Sequence, residues 1–191
     1  MELININAPV VLGYAIVSFI ALLLNLITRG VSDRLLFCVY KSSPLNPMTY
    51  ARLIGHVFGH ANLQHYFSNF MLILLIGPML EYNYGSYMLA AMIFITAVVT
   101  GLLFMIFSKR GSAVKGASGV VFMMILLGSF INVEQGSIPM TLIIVAIMYL
   151  GKEFLGEAAK AFRQSNDGVA HAMHILGGLC GAAFGVYMYL L

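Results

Sequence analysis

Six apolar runs punctuate this chain, at roughly 9–28, 63–80, 86–107, 117–132, 138–155 and 168–190. A helix needs ~20 such residues to span hydrocarbon, so the runs leave few folds open. None alternates apolar and polar residues as a membrane β-strand does, and in lipid only a helical bundle then satisfies the backbone polar groups. Composition agrees: 61% of the 191 residues are apolar, 9% are charged and the mean hydropathy is +0.94, whereas a soluble domain carries about a quarter charged residues. The expected fold is an all-α integral membrane protein, a six-transmembrane-helix bundle forming a single membrane domain over 1–191. The segment "MELININA" lacks a basic n-region and no clear small-x-small site follows the first run, which reads as a retained span rather than a removed signal.

The connection over 29–62 is the long one, and most helix connections are short. Its stretch "RLLFCVYKSSPLNPMTYARLIGHVFGH" scatters Leu, Phe, Val and Tyr between charges. That predicts short amphipathic pieces lying in the membrane interface, divided by Pro44 and Pro47. Nine of the ten Lys and Arg belong to the connections after spans one, three and five, and the tenth, Lys152, lies at the end of span five; six spans place all of these on one face. The positive-inside tendency makes that face cytoplasmic.

The five histidines form two clusters: His56, His60 and His65 lead into span 2, and His171 and His174 lie near the start of span 6. Ionisable side chains within spans are costly and are usually there for function. His65 and Asn69, four apart, share a helix face. His174 continues a stripe of Gly177, Gly181 and Gly185, along which two helix backbones can approach closely. In "AVKGASGVVF" Ser118 sits between small residues where a loop gives way to span 4. That span has ~16 residues, or ~24 Å against ~30 Å of hydrocarbon, so its start can lie beneath the surface. His174 lies ~9 Å down from the same face at 1.5 Å per residue. The serine and the imidazole can therefore share a depth.

Serine is a weak nucleophile until a base takes its proton, and histidine is the usual base. The expected site is a Ser–His dyad, with Ser118 as nucleophile and His174 as general base and later acid, and no spare Asp or Glu within a span to orient the base. A helix start offers free N–H groups and a positive dipole end. The Ser118 amide, with the His65 and Asn69 side chains, is thus expected to hold an oxyanion. Gly116 and Gly119 are expected to make a tight turn and leave room for a substrate backbone. His171 reads as structural, and His56 and His60 as braces of the first loop. Their spacing can bind metal but lacks the Glu of His-Glu-x-x-His and a thiolate partner. Glu81 reads as a hydrogen-bond hub with Ser86, and Arg52 as a tie to nearby carbonyls.

These residues resemble the rhomboid intramembrane serine proteases. The likeness rests on "GASG" at 116–119, on His65 four residues before Asn69, on "AHAMHILGGLCG" in the last span, on Arg52, where the family often has Trp-Arg and this chain has Ala51, and on "GPMLEYNYGS". It covers roughly residues 50–190. The resemblance implies the same dyad and oxyanion donors, and the minimal six-span bacterial architecture. In that architecture the first loop is embedded sideways in the membrane, and span 5 with its loop forms a gate and cap. Implied substrates are single transmembrane helices of other membrane proteins, cut near the membrane surface. Membrane lipid is the other expected partner; no nucleic acid, metal or organic cofactor is expected. The implied location is a bacterial inner membrane with the site open to the extracytoplasmic side, in conflict with the basic loops. Where the family commonly stacks a Tyr on the catalytic His, this chain has Phe122, which keeps the ring. The Gly-Gly of span 2 is Gly77-Pro78 here, predicting a kink.

The oligomeric state is not legible. Two other readings stay open: a redox protein holding metal or haem in the histidine clusters, which leaves Ser118 without a task, and a non-catalytic relative that binds transmembrane helices. Such relatives usually lack the serine or the histidine, and this chain has both.

Overall fold

A computed structural model describes residues 7–131, 133, 137–138, 140–145, 147–148 and 168–190, with backbone alone at 168–171. Helix α1 (Pro9–Ile27) is followed by a π-helical turn (Asp33–Phe37), strand β1 (Val39–Tyr40), α2 (Pro47–Gly55), α3 (Leu63–Tyr84), α4 (Ser86–Phe107), strand β2 (Ala113–Val114) and α5 (Ser118–Gly128). Residues 140–145 are helical, and the last element, here α6, is Gly168–Leu190. Four helices among the described residues are long and apolar enough to cross a membrane: Pro9–Ile27, Leu63–Tyr84, Ser86–Phe107 and Ala172–Leu190. The protein is mostly helical, an integral multi-pass membrane protein. The latter part of the expected span 138–155 lies outside the described residues.

Helix α5 is central because it has no polar face to give to water or headgroups: Val120, Met123 and Leu127 are fully buried and Val121 and Met124 nearly so. It is also short. The run expected over 117–132 yields 11 helical residues, about 16 Å at 1.5 Å per residue, and turns begin at Ser129. Helices α3 and α4, with 22 residues each, are about twice that length. The glycine stripe of α6 faces α5. A Cβ on Gly177 would sink into the Gly119 carbonyl, one on Gly181 into the Met123 carbonyl and one on Gly185 into the Phe130 ring. The two backbones are therefore in direct contact, as small-residue packing in lipid allows.

Helix α3 runs unbroken through Pro78 to Tyr84, four residues beyond the expected end. Gly77 is where α1 crosses it, since a Cβ there would stand 2.7 Å from Val11 Cγ2. The added turn carries Glu81, buried rather than facing water. The Val10 and Val11 N–H groups donate to its two oxygens at 3.0 Å each, and the Ser86 hydroxyl donates at 2.6 Å. Glu81 thus caps α1, whose own N-cap, Ala8, has no side chain to offer. The hub with Ser86 is present, with the α1 amides added to it. Glu81→Ala is expected to cost about 3 kcal/mol by leaving buried donors unmet at a helix N-terminus. Its thermal midpoint in detergent should fall by roughly 5–10 °C, with Glu81→Gln retaining part of the loss; an unchanged midpoint in the alanine variant would contradict the cap.

The first loop does break into short pieces. Asn46 caps α2 by accepting from the Met48 N–H at 2.9 Å, with Pro47 in the first turn. Gly55 and Gly59 let the chain lie directly on the Leu36 and Phe37 carbonyls. Arg52 does not bind carbonyls as expected. Its Nη2 donates to the Ser42 and Thr49 hydroxyls at 3.1 and 3.2 Å, and its guanidinium lies 4.4 Å from the Tyr40 ring centre. One nearby carbonyl, that of Ser43, is already taken by the Thr49 hydroxyl, which leaves hydroxyl oxygens and a ring face for the cation. The ladder Val39↔Val114, Tyr40↔Ala113 was not anticipated. Two residues are too few to show alternation, yet they join the first loop to the segment that precedes Ser118.

Candidate active site

Ser118 is the first residue of α5, and Ala117 before it caps nothing with its side chain. The opening N–H groups of the helix therefore lack intrahelical acceptors and sit at the positive end of its dipole. His174 projects from α6 three residues before Gly177, whose contact with Gly119 sets how near the two helices lie. The result is a direct hydrogen bond, with His174 Nε2 3.0 Å from Ser118 Oγ. One turn along α5, the Phe122 ring lies against the imidazole with centroids 4.8 Å apart, tilted at 44° rather than parallel.

Both side chains line a cavity of about 150 Å³ with His56, His65, Thr100, Lys115 and Gly116. Gly116 makes the turn into the helix. Its φ is +135°, a conformation L side chains rarely adopt, and a Cβ there would stand 2.8 Å from the His65 ring. Gly119 makes no turn. It is the second residue of α5, and a Cβ on it would make only ordinary contacts; the close approach of α6 depends on Gly177, which lies on the Gly119 backbone.

His65 and Asn69 share α3, but only His65 reaches the cavity lining. The Asn69 side-chain amide donates to the His65 carbonyl one turn back at 2.9 Å, a local satisfaction open to any Asn in a helix. The Ala61 N–H approaches His65 Nδ1 at a long 3.5 Å. His171 stands on the first turn of α6, and its side chain lies outside the described residues.

His56 and His60 brace the first loop, and they also hold the loop that carries Ser118. The Gly116 N–H donates to the His56 carbonyl at 2.9 Å, and the Ala117 N–H lies 3.4 Å from His60 Nε2. His60 Nδ1 is 3.1 Å from the Phe58 carbonyl, which requires the proton on that nitrogen. Only the neutral ring can donate to one and accept from the other. Burial, aided by the neighbouring His65, lowers the His60 pKa to about 4. Burial likewise lowers His56 to about 4 against a hydrogen bond to the Leu53 carbonyl. Unfolded, each ring would titrate near the ordinary 6.5.

Between those values the unfolded chain binds more protons than the folded one, so stability is full above pH ~6.5 and falls as pH drops towards ~4. The thermal midpoint in detergent is expected to decline through that window, and less steeply in His60→Asn. A flat profile from pH 7.5 to 4.5 would contradict the neutral assignment.

Among the described residues no three His, Cys, Asp or Glu side chains converge on a metal position. A second cavity of about 210 Å³ lies between α1, the α2–α3 connection and α4. Its walls are almost wholly apolar, and the hydroxyl of its Tyr14 is taken by the Val57 carbonyl, so it offers no comparable chemistry. The residue that spacing did not reveal is Lys115, which lines the serine's cavity while its ammonium is bonded to the Asp33 carboxylate. A charge three residues before the Gly-Ala-Ser-Gly serine is visible in the sequence; its partner, 82 positions away, is not.

Residues 47–190 match a family model described as the Rhomboid domain. The chain is also similar to Rhomboid-related protein 1 of Caenorhabditis elegans, at 27% identity over 138 residues. The matched segment covers 70% of this chain and 38% of that relative, so the chain spans well under half of its length.

Proposed function

The chain belongs to the rhomboid family, and on that premise we propose that it is an intramembrane serine endopeptidase that cuts transmembrane segments of other membrane proteins. The observation that carries this reading is the 3.0 Å contact between Ser118 Oγ and His174 Nε2 inside a cavity that His56, His65, Thr100 and Lys115 also line.

In the proposed reaction His174 Nε2 takes the hydroxyl proton as Ser118 Oγ bonds to the scissile carbonyl carbon. The oxyanion is met by the Ser118 N–H at the start of α5 and by His65. With the Ala61 N–H directed at its Nδ1, His65 keeps its own hydrogen on Nε2 for donation. His174 then gives its proton to the departing amine as the C–N bond breaks, and later takes one from the water that hydrolyses the acyl-serine. Phe122 holds the imidazole from the side. Gly116 lets the His65 ring lie against the turn, and the contact of Gly177 with the Gly119 backbone brings His174 close.

Asn69 stands one turn behind His65 with its amide bonded to the His65 carbonyl, and so contributes less to the oxyanion than His65. His65→Ala is accordingly expected to lower kcat by about 10²–10³, and Asn69→Ala by about tenfold or less. Kinetics on the two purified variants check the order, and the reverse order would contradict this division.

A peptide bond inside a helix is shielded by its own hydrogen bonds, so the substrates are helices whose small or helix-breaking residues allow local unwinding near the surface. Six spans, with the fifth and its loop as gate, complete the proposed architecture. The site faces the extracytoplasmic side of a bacterial inner membrane. Two of the basic residues on that face, Arg52 and Lys115, are spent internally on Tyr40 with two hydroxyls and on Asp33, which weakens the charge argument for the opposite sidedness. No cofactor takes part.

The test is incubation of the reconstituted wild type with a labelled single-span substrate, with the product located by mass. One cut near the membrane surface, absent with Ser118→Ala, is expected; equal cleavage by that variant would overturn the reading.

A further inference from the structure

Five consecutive residues ahead of Ser118 are each tied to the first loop. Ala113 and Val114 pair with Tyr40 and Val39, and Lys115 bonds Asp33. The Gly116 N–H donates to the His56 carbonyl, and the Ala117 N–H to His60 Nε2. Helix α5 begins at the next residue, so the first loop is the template on which the backbone entering it is laid. Lys115 makes its link through its side chain, and its partner stands in the π-helical turn that follows α1.

This is the one ion pair among the described residues. Asp33 is 6% exposed and its Oδ1 accepts no hydrogen bond, so among the described residues the Lys115 ammonium is the only partner of the carboxylate. A buried charge with a single partner depends strongly on that partner. Lys115 also borders the cavity, next to the glycine under the His65 ring. Without the carboxylate its long side chain would be free to extend into the cavity.

We propose that the Asp33–Lys115 pair is a clasp that positions the strand leading into Ser118. Both are positioning residues, acting through the backbone at Gly116 and Ala117 and touching no substrate. The effect on turnover rests on the proteolytic reading above; the effect on the backbone does not.

The test uses the full chain in lipid nanodiscs: wild type, Asp33→Asn, Lys115→Met, the double neutral variant, and the reversed pair Asp33→Lys/Lys115→Asp. Two quantities are read, kcat per probe-titrated site and amide exchange of the peptide covering 109–121. Each single variant is expected to lose about tenfold in kcat with KM nearly unchanged. The double should be no worse than the poorer single, because one interaction is removed in all three. Exchange in the peptide should quicken about fivefold in the same three variants, and the reversed pair should recover part of both losses.

Lys115→Met matching wild type while Asp33→Asn falls would mean that Asp33 only quenches a charge, and the clasp would be wrong. Additive losses, or exchange unchanged in the single variants, would overturn it as well. If exchange responds as expected but the wild type cleaves nothing, the clasp stands and the proteolytic reading fails.

Discussion

Ser118→Ala and His174→Ala are each expected to lower kcat by about 10⁴-fold or more, and the double variant is expected to be no slower than the poorer single. The reason is that neither group works alone. The hydroxyl needs a base to take its proton, and the imidazole acts through that hydroxyl: its Nε2 faces Ser118 Oγ at 3.0 Å. The base must also be held against the hydroxyl. Here the Phe122 ring and the contact between α6 and α5 do that. Turnover of a labelled single-span substrate by the three variants, at equal folded concentration, checks the cycle. A His174→Ala enzyme within tenfold of wild type would show that the imidazole is not the base.

Gly177→Val is expected to lower turnover by at least about 10²-fold, although residue 177 touches no substrate. Its Cβ would enter the Gly119 carbonyl, which is backbone within α5 and cannot rotate aside. Helix α6 must then retreat, and His174, three residues earlier on the same face, retreats with it from a hydroxyl at hydrogen-bond distance. Gly185→Ala supplies the comparison. Its Cβ would press on the Phe130 ring, a side chain that can move, further from the serine. The expected outcome is a large loss of turnover and of fluorophosphonate labelling at 177, and a modest loss at 185. Equal turnover in Gly177→Val and wild type would mean that helix approach does not set the dyad distance.

The readable parts of this chain are those that lipid forces into local patterns. Apolar runs must become helices, so α1, α3, α4 and α6 were legible with ends shifted by a few residues. Helix α3 overran because Glu81, a charge that marks a helix end in water, is buried as the cap of α1. Helix α5 fell short because the apolar residues after Gly128 fold into turns. Ser118 and His174 were legible because a hydroxyl among glycines and an imidazole on a glycine stripe have poor alternative explanations inside a membrane. Helical face puts Asn69 beside His65 but says nothing of an amide that turns back to its own helix carbonyl. The template under residues 113–117 left no periodic trace, because its partners lie 57 positions away at His60 and 82 at Asp33. Such contacts are set by how helices stack.

The most direct test of the central assignment is the site of covalent attack by a fluorophosphonate probe, read by mass spectrometry of the peptide containing Ser118. An adduct on Ser118 in the wild type, reduced at least a hundredfold in rate in His174→Ala, is the predicted result. A folded wild type that takes no adduct at Ser118, or takes it equally fast without His174, would contradict the account.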